Sequence, residues 1–569
     1  MDNKQDLLVL KLRNERKVAQ EYQERKHLEW DENYELYRNK VKTNRLTQRQ
    51  AVNIPLMKET VKTLLSRIDD PPNVDWKEIA GDEMKEIVYQ EIWNDAFRKK
   101  KFEWVDLVDK KNVLLYGLST KHLNICETGV DVSVLEPYDV TYDPIMNPID
   151  LETARFIIRR NIFKSLREVL ADKRYDEKTK NQLREWSLSQ NAIVQSFDAK
   201  EQLEKKQERL KAMGVKSDEF DRFSGGDVIL NLTEHYTLQW NAKKEEFEKR
   251  VIVYVEEDQI LLNERLIDLM GADFWPFVLW SEDPESNDLY ADSVADLVRT
   301  PNKILNVWFS QQVENRTLQN FQMHWYDSTI QGYKPQTYEP GPGRMLPAPG
   351  DPNKTIMPVQ INGLDETFTA IDFLIRVVER GTGATAIEKG VSEKKQITLG
   401  EVEMLVGKAA ERTVGMQKFY RGAWYELATK WNILMHKNPP KNVKLFKRNK
   451  DGKIYPKVAY PSDWKSERGY EPIVSSSSEQ EEEQMKGIQK WQFILGMFPN
   501  NLALRKIAEK RSLELVDLTP EELQEVTQAE EQAQEMMMQG ANTSPPMQQP
   551  MQPMAQPMQQ LAMPQQMTQ

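Results

Sequence analysis

One ordered stretch restricts this chain more than any other. From Tyr290 to His436 a helical pattern, an insert rich in Pro and Gly, a second helical pattern, a Gly-rich loop and a long helical pattern follow one another. In Ala291–Arg316, residues Val294, Leu297, Val298, Ile304, Leu305 and Trp308 recur at spacings of three and four, which puts one apolar stripe on a helix. Pro301 is expected to break or kink it, because proline removes a helical N–H and clashes with the preceding turn. The insert, 323–363, holds short strand-like runs and the segment Glu339-Pro340-Gly341-Pro342-Gly343-Arg344. A helix over Asp365–Arg380 follows, then the loop 381–398, then a helix of about ten turns over Leu399–His436. A stripe such as 294–308 is more often a core face than a face packed against another copy of the chain, and the sequence alone does not separate the two.

Composition narrows the class. The chain has 569 residues and a formal net charge of −11, with 39% hydrophobic and 29% charged residues. That length implies several lobes, and fourteen tryptophans argue against a wholly disordered chain. An acidic total does not suggest a coat on nucleic acid, which needs clustered Lys and Arg. The single cysteine, Cys126, excludes an internal disulfide framework and fits a reducing compartment. The polar start at Met1–Leu7 reads as no signal peptide, and no apolar run approaches the length of a membrane span.

In chain order, 6–39 reads as a charged helix with Leu28, Trp30, Tyr34 and Tyr37 near its end. A second helix follows Asn53, read as its cap, and carries Val61, Leu64, Leu65 and Ile68 on one face. Residues 76–116 read as amphipathic helix with Ile87, Trp93, Phe97, Trp104, Leu107, Val108 and Leu114 as core. Strands are expected at 119–126 and 130–135, joined at Thr128-Gly129, and at 154–160. A polar helical excursion, 163–213, precedes a second β pair at 228–240 and 250–262, and 274–280 is apolar. After His436 a hairpin is expected around Asp451-Gly452, then a linker at 475–478 and capped helices. From 536 to 569 the chain is Met, Gln and Pro and reads as disordered.

Signals for chemistry are weak. A phosphate loop needs GxxxxGK[ST]; at Gly407-Lys408 the first Gly is Val402 and Ala409 replaces the hydroxyl residue. No GxSxG elbow occurs. His27, His122, His235, His324 and His436 are scattered, and His122 and Cys126, four apart on a strand, stand about 13 Å apart, too far to share a metal. Asp139 and Asp143 read as turn residues rather than metal carboxylates. No cofactor is implied. Lys437, Lys441, Lys444, Lys447, Arg448, Lys450, Lys453 and Lys457 form a basic run that suits a solvated hairpin, DNA phosphate or an acidic neighbour. The loop 381–398 concentrates Arg380, Lys389, Lys394 and Lys395 beside Gly381, Gly383 and Gly390, and so long a connection is usually functional or disordered.

The ordered set resembles the portal protein of tailed bacteriophages, the head-to-tail connector. The resemblance covers roughly 25–436. It is carried by NDLYADSVADL (287–297) entering the first helix, the Pro-Gly insert, the Gly-rich loop between helices, RNKVKTNR (38–45) with VNIPL (52–56), and EPYDVTYDP (136–144). It implies an α+β, predominantly helical subunit: a wing at 1–288, stem helices at 289–322 and 364–380, a clip at 323–363 and a tunnel loop at 381–398. A long wing helix with the basic hairpin at 399–474, a helical crown at 475–535 and the tail at 536–569 complete it. The family implies a homo-oligomeric ring, a dodecamer, at a capsid vertex of a virion made in host cytoplasm. It also implies double-stranded DNA in the channel against Arg380, Lys389, Lys394 and Lys395, and no enzymatic activity. A terminase motor and tail adaptors are expected to dock on the clip, where Trp325, Tyr326, Tyr333 and Tyr338 are the anchors expected, with scaffold and capsid proteins around the wing and no membrane. Two other classes compete. A scaffolding coiled coil has no use for hairpins and a Pro-Gly insert, and a nucleic-acid enzyme needs the missing phosphate loop.

Overall fold

The computed structural model describes residues 2–39, 52–68, 71–189, 229–255, 259–320, 324–326, 351, 356–358, 366–384, 399–448, 454–475 and 490. The chain divides into two units, Met1–Ser477 and Ser478–Gln569. The elements below belong to the first; the expected crown helices and the Met/Gln/Pro tail lie outside the described residues.

Helix α1 spans Asp2–Tyr37 and α2 Leu56–Leu65. Residues 76–116 are not one helix. Strand β1 (Asn73–Glu78) takes Trp76, and α3 (Glu83–Lys99) and α4 (Phe102–Tyr116) follow, separated at Lys101 by a left-handed φ of 53°. Trp93 and Leu114 are core as expected, and Phe97 packs against it, but Ile87, Trp104, Leu107 and Val108 are exposed. The strand break changes the helical phase, so a face read through 76–116 drifts off the core.

Then come β2 (Leu118–Cys126), β3 (Gly129–Leu135), β4 (Val140–Tyr142), β5 (Phe156–Ser165), α5 (Leu166–Ala171) and α6 (Glu177–Ser189). The hairpin turn is Glu127-Thr128, since Cys126 pairs with Gly129. Next are β6 (Ile229–Asn241), β7 (Glu246–Tyr254), β8 (Ile260–Arg265), α7 (Leu266–Met270) and β9 (Phe277–Ser281). The expected strand at 250–262 is thus divided between β7 and β8. Helix α8 (Val294–Asn320), β10 (His324–Tyr326), β11 (Ile356–Pro358), α9 (Glu366–Thr382) and α10 (Leu399–Lys437) form the organising stretch. Strands β12 (Val443–Arg448) and β13 (Ile454–Ala459), α11 (Pro461–Trp464) and β14 (Tyr470–Ser475) end the described part.

Strands β4-β5-β6-β7-β8 form an antiparallel meander, and β3-β2-β9 a three-stranded sheet. β1 pairs with β14 across the length of the unit, which brings 73–78 and 470–475 together. A bulge in β5 between Arg159 and Ile162 is turned by Asn161 at φ 59°, whose amide donates to Asp139 at 2.6 Å. α1 crosses the meander: Leu12 meets Ile252 and Tyr254, and Ala19 meets Phe156 and Ile158.

The main core joins the helices to both sheets and holds Trp30, Trp76, Trp275, Trp424, Trp431 and Trp464 fully buried. Inside it lies an ionic network on α4. Asp106 pairs with Lys110 at 2.7 Å and accepts from Tyr420 and from Trp424 Nε1. Asp109 pairs with Lys121 of β2 and accepts from Trp280 Nε1 at 2.7 Å. Matched charges lower the cost of burying carboxylates here. α4 ends at Gly117 with φ 82°, where a Cβ would stand 2.3 Å from the Ala291 carbonyl oxygen, so only glycine fits this approach.

Candidate functional site

The site is built on α8, α9, α10 and the segment entering α2. Ser293 and Asp296 cap the start of α8 reciprocally: Asp296 N donates to Ser293 Oγ, and Ser293 N donates to Asp296 Oδ2 at 2.8 Å. α1 ties down the approach. Tyr22 donates to Asp288 at 2.9 Å, Arg25 pairs with the same carboxylate, and Lys26 pairs with Asp292 at 2.9 Å. Farther along, Lys303 pairs with Glu32 at 2.7 Å.

Pro301 lies inside α8 without ending it. Val294, Val298 and Leu305 of the expected apolar stripe are buried, but Leu297 is 57% exposed. A second stripe does the docking. Asn302, Asn306 and Ser310 are spaced by four and buried. Asn302 Oδ1 accepts from Met57 N at 2.9 Å and its amide donates to Ile54 O at 3.2 Å. Asn306 Oδ1 accepts from Ile54 N at 2.7 Å, and Ser310 Oγ from Val52 N at 3.1 Å. The extended segment 52–57 is therefore hydrogen-bonded along α8 as along a sheet edge. Asn53 does not cap α2: the cap position is Pro55, with no side-chain bond, and Asn302 serves Met57 instead. The signal was present as Asn, Asn and Ser at i, i+4 and i+8, a polar face that an apolar search passes over.

α9 packs along α8. It buries Ile371 and Val378, yet Phe368, Phe373 and Val377 stand 52%, 66% and 44% exposed. The helix runs through Gly381 and Thr382, two residues beyond the expected helix end at Arg380. It stops at Gly383, φ 75°, whose N–H donates to Glu379 O at 2.8 Å. A helical Gly381 costs only about 1 kcal/mol, which packing absorbs. The end is anchored: Arg67, just past α2, donates to Gly383 O at 2.7 Å, and Gln417 of α10 donates to Arg67 O at 3.0 Å.

Arg380 is exposed in the last turn of α9. Lys389, Lys394 and Lys395 lie outside the described residues. Trp325 and Tyr326 sit on β10, opposite Met357 and Ile356 of β11; Tyr333 and Tyr338 lie outside. The basic hairpin forms as its own two-stranded sheet, with Phe446 opposite Pro456. Lys99 donates to Lys444 O at 2.8 Å.

The remaining polar candidates have structural partners. Asp143 holds Arg155 through two bonds of 2.6 and 2.7 Å. Burial raises its pKa, but the Arg155 bonds and two backbone amides outweigh that and leave it lowered. His122, buried beside Tyr236 and Arg159, has its pKa lowered well below the usual range by desolvation and by Arg159. Glu29, Asp292 and Asp296 bring carboxylates within 4.8 Å of one another, and Lys26 and Arg299 are paired with them.

No curated protein matches the chain. Among solved structures, the virion of a native gene transfer agent particle is similar over 70% of this chain and 81% of that one, at 10% identity and a TM-score of 0.36. The neck of an empty gene transfer agent particle, computed with C6 symmetry, is similar over 80% and 90%, at 10% identity and a TM-score of 0.38. Both likenesses are too distant to carry a conclusion about function. The model of the phage SU10 portal protein family, by contrast, matches residues 27–569, nearly the whole sequence. The chain belongs to the phage SU10 portal protein family.

Proposed function

We propose that the subunit assembles with copies of itself into a ring, a dodecamer, that conducts double-stranded DNA through one capsid vertex during packaging and ejection. In this reading α8 and α9 are the stem, and 381–398 is the tunnel loop that presents Arg380, Lys389, Lys394 and Lys395 to DNA. The clip, 323–363, receives a terminase motor and then tail adaptors through Trp325, Tyr326, Tyr333 and Tyr338. Capsid and scaffold proteins meet the wing, and the ring performs no chemistry of its own.

The observation that carries this is α9. One helix buries Ile371 and Val378 against its own chain and offers Phe368, Phe373 and Val377 to something else. Side-to-side packing of such helices around an axis is a heterologous contact that closes into a ring. Burying a Phe side chain contributes about 1.5–3 kcal/mol, so Phe373, two-thirds exposed, offers about 1–2 kcal/mol per contact. The five-stranded meander, foreign to a coiled-coil rod, weighs against a scaffolding role.

Phe368→Ser/Phe373→Ser tests the reading by sedimentation velocity. The variant should remain folded and need roughly tenfold or more protein to assemble. Assembly at the wild-type concentration would show that this face lies outside the subunit contact.

A further inference from the structure

We propose that Arg38, Lys58 and Lys111 form a phosphate-binding site at the junction of α1, α2 and α4, separate from the Gly-rich loop. Arg38 follows the last turn of α1, Lys58 is exposed in the first turn of α2, and Lys111 is half-buried on α4. The Lys111 ammonium stands 4.7 Å over the Tyr37 ring, an aromatic floor that holds the cation in place.

Among the described residues no carboxylate pairs with any of the three. Lys26, Lys110, Lys121, Arg155, Arg299 and Lys430 all have carboxylate partners. Burial, Arg38 and Lys58 all lower the pKa of Lys111. Gathered cations repel one another when the site is empty, and a bound anion removes that cost.

The junction is fixed. The Asn39 side chain donates to Asn53 O at 3.3 Å, and the Asn53 side chain donates to Asn39 O at 3.4 Å. A carboxylate is satisfied by one forked arginine, whereas a phosphate accepts several point charges at once; two lysines and an arginine from three elements suit the phosphate. Lys58 also lies about 14 Å along α2 from Arg67, which holds the Gly383 carbonyl at the loop's start. That the phosphates are those of duplex DNA rests on the conduit reading above.

The test uses the full-length protein, a labelled random-sequence duplex and anisotropy across a salt series. Arg38→Ala/Lys58→Ala/Lys111→Met should flatten the slope of log affinity against log salt by about 2–3, and Lys58→Ala, on an exposed turn, by about 1. Met keeps the packing on Tyr37. An unchanged slope in the triple variant, with rings still formed and phosphate heat equal to the wild type's, overturns the site and leaves the conduit reading standing. If the wild type forms no rings, the conduit reading falls, and calorimetric titration with inorganic phosphate judges the site alone. Heat that vanishes in the triple variant supports it, and equal heat overturns it. Loss of phosphate binding with an unchanged duplex slope overturns DNA as the ligand.

Discussion

Asn302 tests whether a polar stripe holds the segment 52–57 against α8. The side chain is 1% exposed and serves two backbone groups, Met57 N–H and Ile54 C=O. Asn302→Ala leaves both without a partner. Each buried orphan costs about 1–3 kcal/mol, so the local penalty is about 2–6 kcal/mol. Asn302→Leu separates the causes: it fills the volume but makes neither bond, so it should recover little. Hydrogen exchange read on peptides covering 52–65 is the assay, since opening of this segment is a local event. Two kcal/mol corresponds to roughly a thirtyfold faster exchange, and both variants should show at least that. A Leu variant that protects 52–65 like the wild type would mean that shape, and not hydrogen bonding along α8, seats the segment.

Gly117→Ala meets a left-handed backbone and the Ala291 carbonyl at 2.3 Å, so it should cost several kcal/mol, read as a lowered melting temperature; a shift under 2 °C would contradict the close approach. His122 and His235 are buried, and desolvation lowers both pKa values despite the Glu15 bond to His235. The unfolded chain therefore takes up protons first as pH falls below about 6.5, so their contribution is full above that pH and is lost below it. Melting temperature should fall between pH 7 and 5, and His122→Gln/His235→Gln should flatten that fall even if it lowers the whole curve. Lys389→Ala/Lys394→Ala/Lys395→Ala should spare assembly and change DNA packaging or retention in a salt-dependent way; wild-type packaging and retention at both low and high salt would exclude these lysines from contact with DNA.

The organising stretch was legible because its signals are local. Stripes at three and four, Pro-Gly clusters and a loop bounded by helices require no knowledge of partners, and α10 runs Leu399–Lys437 against an expected 399–436. The hairpins at 118–135 and 443–459 were legible for the same reason. What failed was long-range. Trp76 was assigned to a helix because its strand pairs with residues almost 400 positions later, at Pro472. Asn53 was read as a cap because the group that actually serves α2, Asn302, comes from a helix distant in sequence. The ionic network on α4 was invisible too: Lys121, Trp280, Tyr420 and Trp424, which enclose Asp106, Asp109 and Lys110, come from other elements, the three aromatic residues from ones distant in sequence.

The central claim is that the subunit closes into a ring around a channel. Negative-stain imaging of the purified protein, without nucleic acid, tests it most directly. The account predicts round particles with a central hole and a mass many times the 66.6 kDa of one chain. Single subunits across a range of salt and protein concentration, with no ring, would contradict it.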